Sequence, residues 1–212
     1  MKKQQSPIQA YIEHATNRWS GGFTIPLPTT PKVLRPFLDG IDVTSSQDIF
    51  IMPVRANKTL LDKVLCDIIV ARRTASPDTL NELNYLAVKM NSLNEEERET
   101  FTAALEVKRY CRSIADIINL TENLDCLFLQ PAYSPIMYGE FLLATAQEDE
   151  FGCLERLKAS ANSDDKTLVQ HIERLERSVD PLAYGRVAMK EENGTFTKQG
   201  YLVEVATFKS IY

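Results

Sequence analysis

Apolar and polar positions first alternate near the start of the chain. Ile8, Ala10 and Ile12 alternate with Gln9, Tyr11 and Glu13. That period of two predicts a half-buried strand. Gly21-Gly22 is a turn signal, and Phe23, Ile25 and Leu27 resume the alternation. The pair reads as a hairpin with a long connection, and Pro26 and Pro28 place its second strand at a sheet edge. Thr30-Pro31 supplies an N-cap and a proline for the first helical position. The helix that follows has Val33, Leu34, Phe37 and Leu38 as its apolar face. Pro36 is expected to shorten or kink it, and Gly40 to end it in the left-handed conformation. Ile49 to Val54 reads as a third strand. Leu60, Leu61, Val64, Leu65, Ile68 and Ile69 recur at helical spacing, which predicts a helix over Thr59 to Arg73.

From Ser76-Pro77-Asp78 onward the pattern is mainly helical. Leu80, Leu83, Leu86, Ala87 and Met90 share one face. Asn94 followed by Glu95, Glu96 and Glu97 starts a second helix, with acid where the helix dipole favours it. Ser113 starts a third that carries Ile114, Ile117 and Ile118. Cys126 to Gln130 reads as a short buried strand, and Ser134-Pro135 opens a helix through Ala146. Helices are expected over Asp164 to Arg177 and Pro181 to Lys190. A hairpin follows, with Phe196 and Tyr201 to Val205 flanking a turn at Lys198-Gln199-Gly200. Ser134-Pro135-Ile136-Met137-Tyr138-Gly139 echoes Asp180-Pro181-Leu182-Ala183-Tyr184-Gly185. Each reads as a cap, a first-turn proline and a glycine that lets another element approach. The likeness is read as shared helix-start chemistry.

The elements read as an α+β chain of two to three small domains: an N-terminal strand–strand–helix unit, a mainly helical part and a C-terminal hairpin. Charge suggests where they divide. Residues 1–77 hold ten Lys/Arg against six Asp/Glu, whereas residues 78–212 hold fourteen against twenty-three. The expected domains are 1–76, 77–155 and 156–212, the first boundary at the break near Ser76-Pro77. With 212 residues and 44% hydrophobic positions the chain can bury a core, which excludes disorder as the main state. The basic N-terminus lacks the apolar stretch of a signal peptide, and no run approaches the ~20 residues of a membrane helix. A soluble, cytoplasmic protein is expected.

Catalytic constellations are scarce. The sequence holds no G-x-S-x-G, G-x-G-x-x-G or P-loop pattern. Cys66, Cys111, Cys126 and Cys153 form no C-x-x-C pair and read as reduced thiols. His14 and His171 have no second imidazole or thiolate close in sequence, so no metal site, cofactor or catalytic residue is assigned. A Cys–His pair around His171 stays open, because such partners meet in space.

The sharper signal is Ser113 to Glu155, with eight carboxylates and no Lys, Arg or His. On a helix face, carboxylates three or four residues apart lie roughly 5–6 Å from each other. That approximates the spacing of phosphates along a nucleic-acid strand. Such a surface can occupy a DNA-binding channel through the cations that grip phosphate. The alternative is an acidic surface that keeps the chain soluble.

Several segments resemble the ArdA-type antirestriction proteins of plasmids, conjugative transposons and phage. The likeness is carried by Leu80-Asn81-Glu82-Leu83-Asn84-Tyr85-Leu86-Ala87, Leu93 to Phe101 and Ala103-Ala104-Leu105-Glu106. It continues through Asp116-Ile117-Ile118-Asn119-Leu120-Thr121-Glu122-Asn123-Leu124-Asp125 and Tyr138-Gly139-Glu140. Ala10-Tyr11-Ile12 through Gly22-Phe23 to Asp39-Gly40-Ile41 resembles that family's opening unit. The resemblance implies a non-enzymatic, elongated DNA mimic, built from small domains in a row, that dimerises and fills the DNA site of a type I restriction–modification enzyme. The net basic first 77 residues depart from the family's acidic character.

Charge, rather than any aligned position, selects the candidate partner-binding residues: Glu95, Glu96, Glu97, Glu99, Asp116, Glu122, Asp125, Glu140, Glu148, Asp149 and Glu150. In this reading the chain binds neither nucleic acid nor membrane. The alternative is a mobile-element accessory module that holds nucleic acid through Arg18, Lys32, Arg35, Arg55, Lys58, Arg72 and Arg73. Tyr11, Trp19 and Phe23 would be its stacking residues.

Overall fold

The computed structural model describes residues 6–16, 21–41, 43, 49–53, 59–72, 77–146, 167, 170, 174 and 178–210. The chain is α+β and divides into two compact units, one of Met1–Cys126 with Thr207–Tyr212 and one of Leu127–Ala206.

In the first unit β1 (Ile8–His14) is the middle strand of an antiparallel sheet, between β2 (Gly22–Leu27) and β3 (Ile49–Pro53). Alternation fixes its register. Ile12 stands between Phe23 and Ile51, Ala10 opposite Ile25, and Ile8 opposite Leu27. One face is therefore a block of Ile, Leu and Ala, and Ala10, Ile12, Leu27 and Ile51 lose all contact with water. Each fully buried Leu or Ile contributes about 1.5–3 kcal/mol. β2 sits at the edge, the position Pro26 requires because it cannot donate to a neighbouring strand.

Helices supply the rest of this core. α1 (Pro31–Gly40), α2 (Leu60–Arg72), α3 (Pro77–Ser92), α4 (Glu95–Leu105) and α5 (Ile114–Thr121) follow in chain order. α3 packs on β2, β3 and α5, and α2 packs on β3 and α4. Leu65, Leu83, Leu86, Ile114, Ile117 and Ile118 are fully buried. The first turn of α2 is closed reciprocally: the Thr59 amide donates to Asp62 Oδ2 (3.1 Å), and the Asp62 amide donates to Thr59 Oγ1 (3.1 Å).

Several expectations are corrected here. The charge break at residues 76/77 is not where packing divides. α3 lies on the sheet, and Asn84 Oδ1 accepts from the Thr29 amide at 2.6 Å. The division falls at 126/127 and 206/207 rather than at 76/77 and 155/156. α1 runs through Pro36, and Gly40 is helical; Ile41 closes the helix at φ −113°. The apolar stripe of α1 stays largely outside, with Val33 at 52% and Phe37 at 47% exposure. Phe37 stacks on Phe23 of β2, ring centroids 5.0 Å apart, and Leu34 and Leu38 are half-buried.

The second unit holds β4 (Leu127–Gln130), α6 (Pro135–Ala146), α7 (Pro181–Glu192), β5 (Thr195–Phe196) and β6 (Tyr201–Glu204). β6 lies between β4 and β5, antiparallel to both. The turn is closed by the Thr197 amide donating to Gly200 O at 2.7 Å, and Gly200 adopts φ +144°. β4 is shorter than expected, since Cys126 belongs to a 3₁₀ turn, and it is not wholly buried: Phe128 is 52% exposed. The core is Ala132, Tyr138, Tyr201 and Val203, with Phe141, Leu142, Ala188, Met189 and Phe196 packed around them. α7 ends at Asn193, which takes the left-handed φ of 53°. The helix expected over Asp164 to Arg177 lies mostly outside the described residues, though Thr167, Gln170 and Arg174 are helical.

Candidate functional site

The acidic residues chosen by charge occupy different local environments. At the start of α4, Asn94 Oδ1 accepts from the Glu97 amide (2.9 Å) and Glu97 Oε2 accepts from the Asn94 amide (2.8 Å). This reciprocal capping box satisfies two amides that the helix cannot pair internally. Glu97 therefore has a structural task. Glu95, Glu96 and Glu99 are exposed, and among the described residues none makes an ion pair or side-chain hydrogen bond. Their spacing brings like charges within roughly 5–6 Å, a mildly unfavourable arrangement offset by the positive end of the helix dipole.

α5 begins similarly, with Ser113 Oγ accepting from the Asp116 amide at 3.0 Å. Asp116 Oδ2 lies 3.6 Å from Arg112 Nε, one residue before the cation-free segment. Glu122 is also paired. Its carboxylate contacts Lys89 Nζ and accepts from the Tyr85 hydroxyl at 3.3 Å, and Lys89 lies over the Tyr85 ring. Hydrogen bonding to Glu122 holds the Lys89 ammonium above its ordinary range, against the opposing effect of desolvation. The cation missing from the segment's own sequence is thus supplied by α3. Asp125 is exposed in the 3₁₀ turn, 3.8 Å from the Cys126 thiol. Glu140 is exposed on α6 of the second unit. Glu148, Asp149 and Glu150 lie outside the described residues.

The alternative basic surface is only partly described. Lys32 and Arg35 are exposed on α1. Arg18, Arg55, Lys58 and Arg73 lie outside the described residues, as does the Arg72 side chain. Phe23 is engaged by Phe37 rather than standing free, and Trp19 is outside the described residues.

Cys66, Cys111 and Cys126 are free thiols. Burial, and secondarily the Asp116 carboxylate, push the Cys111 thiol above its ordinary range, away from nucleophilic reactivity. Its sulfur sits 3.5 Å from Leu105 O. His14 Nδ1 accepts from the Thr16 amide at 3.2 Å in an exposed turn. Cys153 and His171 lie outside the described residues. Among the described residues no cluster of His, Cys, Asp or Glu could hold a metal ion, and no helix is long and apolar enough to cross a membrane.

Sequence reasoning missed two features. The Lys89–Glu122 pair joins helices far apart in sequence, and only the packing of α3 on α5 reveals it. A cleft in the first unit, lined in part by Arg98 and Phe101, has no local motif. Compared with protein-family models and with curated proteins, the chain matches none.

Proposed function

We propose that this chain acts by binding rather than by chemistry, presenting carboxylates to a partner whose site is built for DNA. The observation that carries the reading is the start of α4. Glu97 closes the capping box, which leaves Glu95 and Glu96 exposed with Glu99, a like charge one helical turn on. A partner with Lys and Arg placed for phosphate would meet them favourably, and salt would weaken the complex. Asp125 and Glu140 are further exposed carboxylates of the same chemistry. The resemblance to antirestriction proteins supplies the class of target, a type I restriction–modification enzyme, together with a homodimeric state and cytoplasmic action.

The test is restriction of unmodified DNA in cells carrying a type I system, with the intact chain and with Glu95→Gln, Glu96→Gln and Glu99→Gln combined. Neutralising Glu95 and Glu96, in the first turn, removes a favourable dipole interaction of about 0.3–1 kcal/mol each. Loss of like-charge repulsion offsets part of that. The variant should therefore fold and fail to inhibit. A folded variant that inhibits fully would show that this face is not the working surface. Absence of inhibition by the intact chain, or tight duplex binding by it at moderate salt, would overturn the mimic itself.

A further inference from the structure

The first unit contains a cleft of about 530 Å³ beside α4, within the ~300–1,000 Å³ range typical of small-molecule sites. Leu61 of α2, Met90 of α3, and Phe101 and Leu105 of α4 line it. All four are core side chains, so the walls are apolar. Three hydroxyls also line it, and two are committed as donors, while Thr59 Oγ1 accepts from the Asp62 amide at 3.1 Å. Thr102 Oγ1 donates to Arg98 O at 2.7 Å, and Ser6 Oγ donates to Ile8 O at 2.7 Å.

Arg98 is the exception. Its Nε donates to Leu93 O and its Nη2 to Met90 O, both at 2.9 Å. The two carbonyls hold the guanidinium at the end of α3, where the helix dipole favours a cation. The group's other N–H donors are not used by these bonds, and among the described residues no carboxylate pairs with it. A fixed cation on an apolar cleft is complementary to a ligand with one anionic end and an apolar body. Glu95, Glu97 and Glu99 lie within a turn of Arg98 on the same helix. Their charges oppose a dianion such as a phosphate monoester more strongly than a single negative charge.

We propose that this cleft binds a small amphiphilic monocarboxylate, with its carboxylate on Arg98 and its chain against Leu61, Met90, Phe101 and Leu105. The inference does not depend on the acidic-face reading.

The test uses the full chain with octanoate and its uncharged counterpart octanol, followed by calorimetry and by thermal unfolding. Octanoate should bind saturably and raise the unfolding temperature with concentration, because a ligand that binds only the folded state stabilises it. Octanol should bind roughly tenfold or more weakly, the loss expected for one charge-assisted hydrogen-bonded contact. Arg98→Met should abolish the preference for octanoate. Thr102→Phe, which fills the cleft and keeps Arg98, should abolish binding of both. If Arg98→Met does not fold, the octanoate–octanol ratio on the natural chain and the Thr102→Phe result decide. No octanoate binding, equal affinity for the two compounds, or octanoate binding unchanged in Thr102→Phe would each overturn the proposal.

Discussion

Gly139 and Gly185 each reserve the space of a side chain for the other helix. A Cβ on Gly139 would lie 1.8 Å from Pro181 O, and one on Gly185 would lie 2.1 Å from Pro135 O. The relationship is reciprocal: Pro135 and Gly139 stand four residues apart on α6, as do Pro181 and Gly185 on α7. The echo in the sequence is thus more than shared helix-start chemistry. Its two copies pack against each other, each glycine beneath the carbonyl of the other copy's proline.

Replacing either glycine with alanine tests this. In an exposed helix the change would stabilise by roughly 1 kcal/mol, because glycine carries the larger entropy cost. Here the added methyl meets backbone, which cannot swing aside as a side chain would, so α6 and α7 must separate. Gly139→Ala and Gly185→Ala should each destabilise by about 1–3 kcal/mol in urea unfolding. The double variant should lose less than the sum, because helices already parted accommodate the second methyl. Stabilisation by either alanine would refute the close approach.

Tyr138 makes stability sensitive to alkali. Its hydroxyl donates to Glu192 Oε2 at 2.5 Å, its ring lies against Tyr201, and burial first, then Glu192, raises its pKa above the ordinary 10.0. The Tyr201 phenol is raised too, by burial and then by Glu192. The neutral phenols are favoured in the folded state, so their contribution is fully present below pH 10. It is lost as pH rises above that value, because the unfolded phenols ionise first. Stability measured against pH should fall through this range. Tyr138→Phe should flatten the fall and, by stranding the Glu192 carboxylate, lower stability at neutral pH by about 1–3 kcal/mol. An unchanged alkaline slope in Tyr138→Phe would remove Tyr138 as a cause.

Local chemistry was the legible part of this fold. Asn94 and Ser113 cap their helices as their residue types require, and the alternation through Ile8, Ala10 and Ile12 places them on the buried face. Pro26 marks an edge strand for the same reason, since one residue's missing amide decides it. What failed depended on partners distant in sequence. Val33 and Phe37 share a helix face, but no element covers it enough to bury either. The division of charge at Ser76-Pro77 says nothing about packing, because surface charge and buried contacts are set by different residues. In the candidate site, Glu122 looked free within its own segment, and Lys89 reached it from α3. The exposure of Glu95, Glu96 and Glu99 was legible, because they fall on the side of α4 away from its buried residues Phe101, Ala104 and Leu105.

The second unit is an insertion, and its removal should leave the first folded. Leu127 and Glu204 are paired on neighbouring antiparallel strands, so the chain enters and leaves that unit side by side. In the first unit the Cys126 sulfur lies 3.8 Å from Thr207 O. A chain lacking residues 127–206, with a short Gly-Ser connection from 126 to 207, needs no long span. It should retain helical circular dichroism and a single cooperative transition. A molten chain without cooperative unfolding would show that the division is not one of stability.

Asn123 reads the returning tail as a strand would. It is 1% exposed; its Oδ1 accepts from the Lys209 amide at 2.7 Å, and its Nδ2 donates to Lys209 O at 3.0 Å and to Asn119 O at 2.8 Å. One side chain thus satisfies both backbone groups of Lys209, and Phe208 stacks on Tyr110 with centroids 5.2 Å apart. Asn123→Ala should cost about 2 kcal/mol, since these bonds vanish together and Lys209 loses its partner. Ending the chain after Ala206 removes the same bonds from the other side. The two changes combined should therefore cost clearly less than their sum, a coupling of about 0.5–3 kcal/mol. Asn123→Asp is the harsher change: ionised, it cannot donate, and it sets a buried carboxylate oxygen against Lys209 O and Asn119 O, so its loss should exceed that of Asn123→Ala. Amide exchange at Lys209 supplies a local readout, with protection high in the natural chain and lost in Asn123→Ala. Strictly additive costs, or a Lys209 amide equally protected without Asn123, would show that Asn123 does not hold the tail.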